Sequence, residues 1–99
     1  MCGATAGGPG VDGVDLTKEA VIQGVVTRAE TPVGGAYVRL LDRDGEFTAE
    51  VPTSATGQFR FFAAPGSWTL RALAPGASVD RSVVATQGSV AEVEVALPA

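Results

Sequence analysis

The sequence predicts an all-β fold: a seven-stranded antiparallel β-sandwich over residues 19–99, preceded by a flexible glycine-rich arm over residues 1–18. Apolar and polar residues alternate in short runs, turn residues separate those runs at regular intervals, and no segment sustains an apolar 3.6-residue period for three turns. Ninety-nine residues suffice for one domain with a single core.

The arm comes first. Gly3, Gly7, Gly8, Pro9, Gly10 and Gly13 make regular structure entropically costly there. Strands are then expected near 20–28, 35–42, 46–53, 57–63, 66–74, 79–85 and 89–97. In "AYVRLL", Ala36, Val38 and Leu40 point one way and Tyr37, Arg39 and Leu41 the other. A turn at Asp44-Gly45 sets Leu40 opposite Ala49, Val38 opposite Val51 and Arg39 opposite Glu50. Apolar residues then meet apolar ones, and charge meets opposite charge. The stretch "GQFRFFAAPGSWTLRA" reads as a second hairpin, with Phe61 opposite Trp68 and Phe59 opposite Leu70. Those four, with Val38 and Val51, are the expected core. In the last strand Ala91, Val93, Val95 and Leu97 face inward, and Glu92 and Glu94 face water.

Composition closes most functional classes. Eleven acidic and seven basic residues give a net charge of −4, which argues against nucleic-acid binding. The chain has no histidine and no asparagine, and its one lysine is Lys18. His-based triads, His-ligated metals and the usual general base are therefore unavailable. A single cysteine allows neither an internal disulfide nor a Cys-rich zinc site within one chain. No run approaches the roughly 20 apolar residues of a membrane span, and the start lacks the basic and apolar regions of a signal peptide. The expectation is a cytoplasmic protein that is not an enzyme and carries no metal or other cofactor.

Two short motifs are better explained structurally. "DRDGE" (Asp42 to Glu46) resembles the opening of a calcium loop but lacks the further oxygen ligands and the flanking helices, so a hairpin turn is expected. "GGPG" (Gly7 to Gly10) lacks the Gly-Lys-Ser/Thr ending and the preceding strand of a phosphate loop.

Two features point toward interaction. On the hairpin register above, Arg60 and Arg71 lie diagonal to each other on one outer face, with Phe62, Tyr37, Leu41 and Leu73. Arginine mixed with aromatic and apolar residues is the composition of interface centres, and Arg60, Arg71 and Phe62 are the partner-binding candidates. The alternative is an ordinary surface of snorkelling side chains, or a second sheet laid over it. The other feature is Cys2. Removal of the initiator methionine, usual before a small residue, is expected to leave a terminal thiol beside a free amine. Such a thiol forms thiolate near neutral pH and can exchange sulfur with another protein's active site. An incidental exposed thiol is the alternative.

The segments "VIQGVV", "PVGGAYVRLLD" and "TGQFRFFAAPGSWTLRA" resemble the carboxypeptidase regulatory-like family of transthyretin-type sandwiches, a pattern specific for fold rather than activity. Hydroxyisourate hydrolases of this fold use histidines, and pilin-type domains with Lys–Asn isopeptide bonds use asparagine; both residue types are missing. A second resemblance spans nearly the whole chain. "MCG" at the start, "GVDL" at 13–16, "EFTAEV" at 46–51 and "SATGQFRFFAAPGSWTLRAL" at 54–73 are similar to a family of small, uncharacterised actinobacterial proteins often called SseC-like. These are encoded beside thiosulfate sulfurtransferases. The resemblance implies a non-enzymatic role in sulfur metabolism, docking on a rhodanese-type thiosulfate sulfurtransferase, with Cys2 as the sulfur-acceptor candidate. The alternative is a purely structural protein–protein interaction module whose Cys2 is dispensable.

Overall fold

A computed structural model describes residues 4–6 and 20–98. Nine strands are described: β1 (Ala4–Ala6), β2 (Ala20–Arg28), β3 (Thr31–Pro32), β4 (Tyr37–Leu41), β5 (Phe47–Pro52), β6 (Gln58–Ala63), β7 (Gly66–Ala74), β8 (Ala77–Ala85) and β9 (Val90–Leu97). They form two facing sheets. One runs β1-β6-β2-β3 with β9 also on β2, and the other runs β5-β4-β7-β8. All seven expected strands are present, joined by the short β1 and β3.

Alternation sends one side chain in two to the space between the sheets. Ile22 and Val26 from β2, Phe59 and Phe61 from β6, and Val95 and Leu97 from β9 line one wall. Val38 and Leu40 from β4, Val51 from β5, and Trp68, Leu70 and Ala72 from β7 line the other. Every residue expected in the core is buried, with Phe61, Leu70 and Val38 at 0% exposure. The buried Thr53 is fully used: its Oγ1 donates to Val33 O at 2.8 Å and accepts from Ala36 N at 2.9 Å. That pair of bonds ties the end of β5 to the segment leading into β4.

The β4–β5 hairpin follows the expected register, with Leu40 opposite Ala49, Arg39 opposite Glu50 and Val38 opposite Val51. Next to the turn a bulge shifts Leu41 onto Phe47. Asp42 organises that turn. Its Oδ1 accepts from Asp44 N at 2.9 Å and Glu46 N at 3.0 Å, and its carbonyl accepts from Gly45 N at 2.9 Å. The acidic cluster is a hairpin turn held by its own first residue.

The second hairpin is corrected. β6 and β7 do not pair: β6 lies between β1 and β2, and β7 lies between β4 and β8. The link at Ala64-Pro65 carries the chain from one sheet to the other. Pro65 offers no N–H to a ladder, and Gly66 takes φ of 142°, a backbone state that disfavours any side chain. Trp68 Nε1 donates back to Ala64 O at 2.9 Å and braces the corner. Phe59, Phe61, Trp68 and Leu70 therefore all sit inside, but they meet across the core rather than along one sheet.

Two further differences concern strand pairing. The β2–β9 pair is parallel, with Val21 opposite Val90 and Arg28 opposite Leu97; every other pair among the described residues is antiparallel. Parallel neighbours need a long crossover, and here the rest of the sandwich between β2 and β9 supplies it. The other difference lies in the arm, where Ala4–Ala6 pairs with Phe61–Ala63 of β6. The rest of the expected arm lies outside the described residues.

The turn from β2 to β3 places two non-glycine residues in the left-handed region, Ala29 at φ 51° and Glu30 at φ 67°. Such two-residue turns favour Asn-Gly because side chains resist this geometry. Replacing Ala29-Glu30 by Asn-Gly is expected to stabilise the domain by about 1 kcal/mol, raising Tm by roughly 4–8 °C. A Tm left unchanged in a thermal melt would show that contacts outside the turn impose those dihedrals.

Candidate functional site

The outer side of the β6-β2-β9 strands carries a polar ladder. Gln23 on β2 stands opposite Arg60 on β6 and Glu92 on β9. Arg60 Nε donates to Gln23 Oε1 at 2.8 Å, and Gln23 Nε2 donates to Glu92 Oε2 at 2.8 Å. One amide thus links a guanidinium to a carboxylate three strands across. Farther along, Thr27 Oγ1 donates to Glu94 Oε2 at 3.2 Å. Arg81 of the other sheet donates from Nη1 to Glu94 O at 3.0 Å, joining the sheets at that edge.

This ladder borders an open groove of about 750 Å³, whose walls include Gln23, Arg60, Glu92 and Glu94 with Ser54 and Gln58 at one end. Ser54 is committed to its turn: its Oγ accepts from Gln58 N at 3.1 Å, and its carbonyl accepts from Gly57 N at 2.9 Å. The groove joins this polar edge to an apolar lining that includes Val25, Val51, Pro52, Phe59 and Val93. Among the described residues, no cluster of three His, Cys, Asp or Glu side chains could hold a metal ion.

The candidates from sequence are redistributed. Arg60 and the half-buried Phe62 lie on this groove side, Phe62 opposite Val21 and Thr5. Arg71 lies on the opposite outer face, because β7 belongs to the other sheet. The expected single surface bearing Arg60 and Arg71 is therefore corrected: it needed β6 and β7 to be neighbours. Cys2 lies outside the described residues. Sequence reasoning missed the roles of Gln23 and Glu92, since the Gln23–Arg60 and Gln23–Glu92 contacts span 37 and 69 residues of chain.

On that opposite face Arg71 pairs with Asp80, Nε to Oδ1 at 2.8 Å and Nη2 to Oδ2 at 3.0 Å. The hydrogen bond from Arg71 lowers the Asp80 pKa from its ordinary value, and the same contact raises that of Arg71. Arg39 Nε donates to Glu50 Oε2 at 2.8 Å, and its guanidinium lies 5.9 Å from the Phe47 ring centre.

A family profile described as a protein of unknown function, DUF1416, matches residues 2–97. The chain belongs to the DUF1416 family. This DUF1416 chain is 57% identical over 84 residues to an uncharacterised protein of Mycolicibacterium smegmatis, covering 84% of this chain and 93% of that one. An uncharacterised protein of Mycobacterium tuberculosis is 58% identical over 83 residues, covering 83% of each chain. Among solved structures, the DUF1416 sandwich is similar to the minor pilin GBS52 of Streptococcus agalactiae, with TM-score 0.67 and 11% identity. That likeness covers 82% of this chain and 44% of the pilin, less than half its length. A dioxygenase domain from Streptomyces sp. SirexAA-E gives TM-score 0.66 at 13% identity, covering 82% of this chain and 80% of that domain. At such identities the likeness shows the β-sandwich alone. The described residues contain no helix long and apolar enough to cross a membrane.

Proposed function

We propose that this DUF1416 protein is a non-enzymatic accessory protein of sulfur metabolism. It docks on a rhodanese-type thiosulfate sulfurtransferase and accepts sulfur on Cys2. The observation that carries the reading is the sole thiol of the chain, placed two residues ahead of a strand paired to the sandwich. Two residues of extended chain reach at most about 7 Å. A thiol so tethered is delivered to a docked partner at high effective concentration. The partner rests on the resemblance to the SseC-like proteins. The docking side in this proposal is the groove face with Arg60 and Phe62, because β1 pairs directly with β6.

The chemistry asks little of this chain. The Cys2 thiolate attacks the outer sulfur of the partner's persulfide. The S–S bond of that persulfide breaks, a Cys2 S–S bond forms, and the partner's cysteine leaves as thiolate. No net oxidation occurs, so no further reagent or cofactor is required. The partner's site supplies the activation, which suits a chain without histidine.

The test incubates the reduced protein with a rhodanese-type enzyme and thiosulfate, then measures intact mass. Wild type is expected to gain about 32 Da that a thiol reductant removes, while Cys2→Ser gains nothing. If wild type stays unmodified while the enzyme itself carries the added sulfur, the structural interaction module with a dispensable Cys2 is the better account.

A further inference from the structure

The outer face of the β5-β4-β7-β8 sheet carries an unusual row. Across four strands the residues in register are Glu50, Arg39, Arg71 and Asp80. The charge order is minus, plus, plus, minus, so two arginines stand directly opposite each other on the central strands β4 and β7. Like charges in that position are unfavourable, and sheets ordinarily place opposite charges there. Each arginine is held from the outside by its own acid. Arg39 gives Glu50 its Nε, and Arg71 gives Asp80 its Nε and Nη2. Among the described contacts, both Nη groups of Arg39 and Nη1 of Arg71 have no protein acceptor. Two fork-shaped donors are thus side by side with N–H groups open to solvent.

Their surroundings are open, with exposed aromatic rings toward β5 and the hydroxyls of Thr69, Ser78 and Ser82 toward β8. Tyr37 is 51% exposed and Phe47 61% exposed. The row beside the arginines runs Pro52, Tyr37 and Leu73.

The geometry points to this face as a docking surface for an acidic segment of a partner protein, one carboxylate bridging Arg39 and Arg71 and apolar neighbours covering Tyr37 and Phe47. Charge complementarity selects the occupant. A single carboxylate meets the open N–H groups of both forks and relieves the repulsion between them. A continuous polyanion such as nucleic acid would also meet Glu50 and Asp80 at the ends of the row, on a chain of net charge −4. Exposed aromatics around arginines suit a protein surface as partner. The arginine row lies on the outer face of the other sheet from the Gln23 ladder, touching the groove only at Pro52, and the proposal is independent of Cys2.

The probe is the peptide acetyl-Gly-Phe-Glu-Leu-Glu-Gly-amide, titrated into the ¹⁵N-labelled full chain and followed by NMR. The expected result is saturable shifts at the Nε–H groups of Arg39 and Arg71 and at the Tyr37 amide. The counterpart with Gln in place of Glu should bind about ten-fold more weakly, as should the acidic peptide to Arg39→Gln/Arg71→Gln. If the double variant is unstable, Arg39→Gln alone, which keeps the Arg71–Asp80 pair, carries the same comparison. Equal binding of the Glu and Gln peptides, or shifts confined to the groove side, would overturn the proposal. So would inorganic phosphate reproducing the peptide's shifts at the same concentration, which would make this a site for any small anion.

Discussion

Phe61→Ala is expected to destabilise the domain by about 3–5 kcal/mol, lowering Tm by roughly 15–30 °C. Phe61 is 0% exposed and is the largest of the fully buried side chains. It lies on β6 opposite Ile22 and next to Phe59, whose ring centre is 6.2 Å away at 55°. Removing the ring loses its transfer energy and leaves a cavity between two hydrogen-bonded sheets that cannot close over it. A domain of this size has only about 5–15 kcal/mol in total, so the variant would lose a large share of its stability. The contrast variant is Val84→Ala. Val84 is 64% exposed on β8, and its truncation should change stability by less than about 0.5 kcal/mol. Urea melts of both variants test the assignment of inner and outer faces. A Phe61→Ala midpoint near wild type would mean that β6 does not present this ring to the core.

The sequence showed which side chains face inward more clearly than which strands lie side by side. Alternation is local, so Phe59, Phe61, Trp68 and Leu70 could be placed inside from their own runs. The Asp42–Glu46 turn is local too, and it carried the Arg39–Glu50 pair with it. Pairing between distant strands has no such signal. The stretch from Ala63 to Gly66 has the composition of a tight turn whether the chain folds back within one sheet or crosses to the other. The competition among edges decides: β2 and β1 occupy both sides of β6, so β7 must pair elsewhere. That one choice moved Arg71 away from Arg60 and set it against Arg39. The groove ladder through Gln23 was hidden for the same reason, since it depends on β9 returning beside β2.

Gly24→Ala is expected to be as damaging as the loss of the core ring, though it adds only a methyl group. Gly24 lies mid-way along β2, opposite Phe59 on β6 and Val93 on β9. A Cβ built there would stand 1.8 Å from Val93 O and 2.8 Å from Val93 C, with Phe59 Cζ at 3.0 Å. The obstacle is backbone of the neighbouring strand, which cannot rotate away as a side chain can. Accommodation requires β9 to move off β2, breaking the parallel ladder from Val90 to Leu97 that seats Val95 and Leu97 in the core. The cost should reach about 4 kcal/mol or more, in the range that marks a specific structural fault. The expected result is a chain that is largely unfolded at 37 °C or melts at least about 15 °C lower. Amide exchange locates the damage: protection should fall first in β9 and in the β2 amides facing it, before the β4–β5 hairpin. A Gly24→Ala protein with wild-type Tm and a protected β9 would show that the two strands are farther apart than this packing requires.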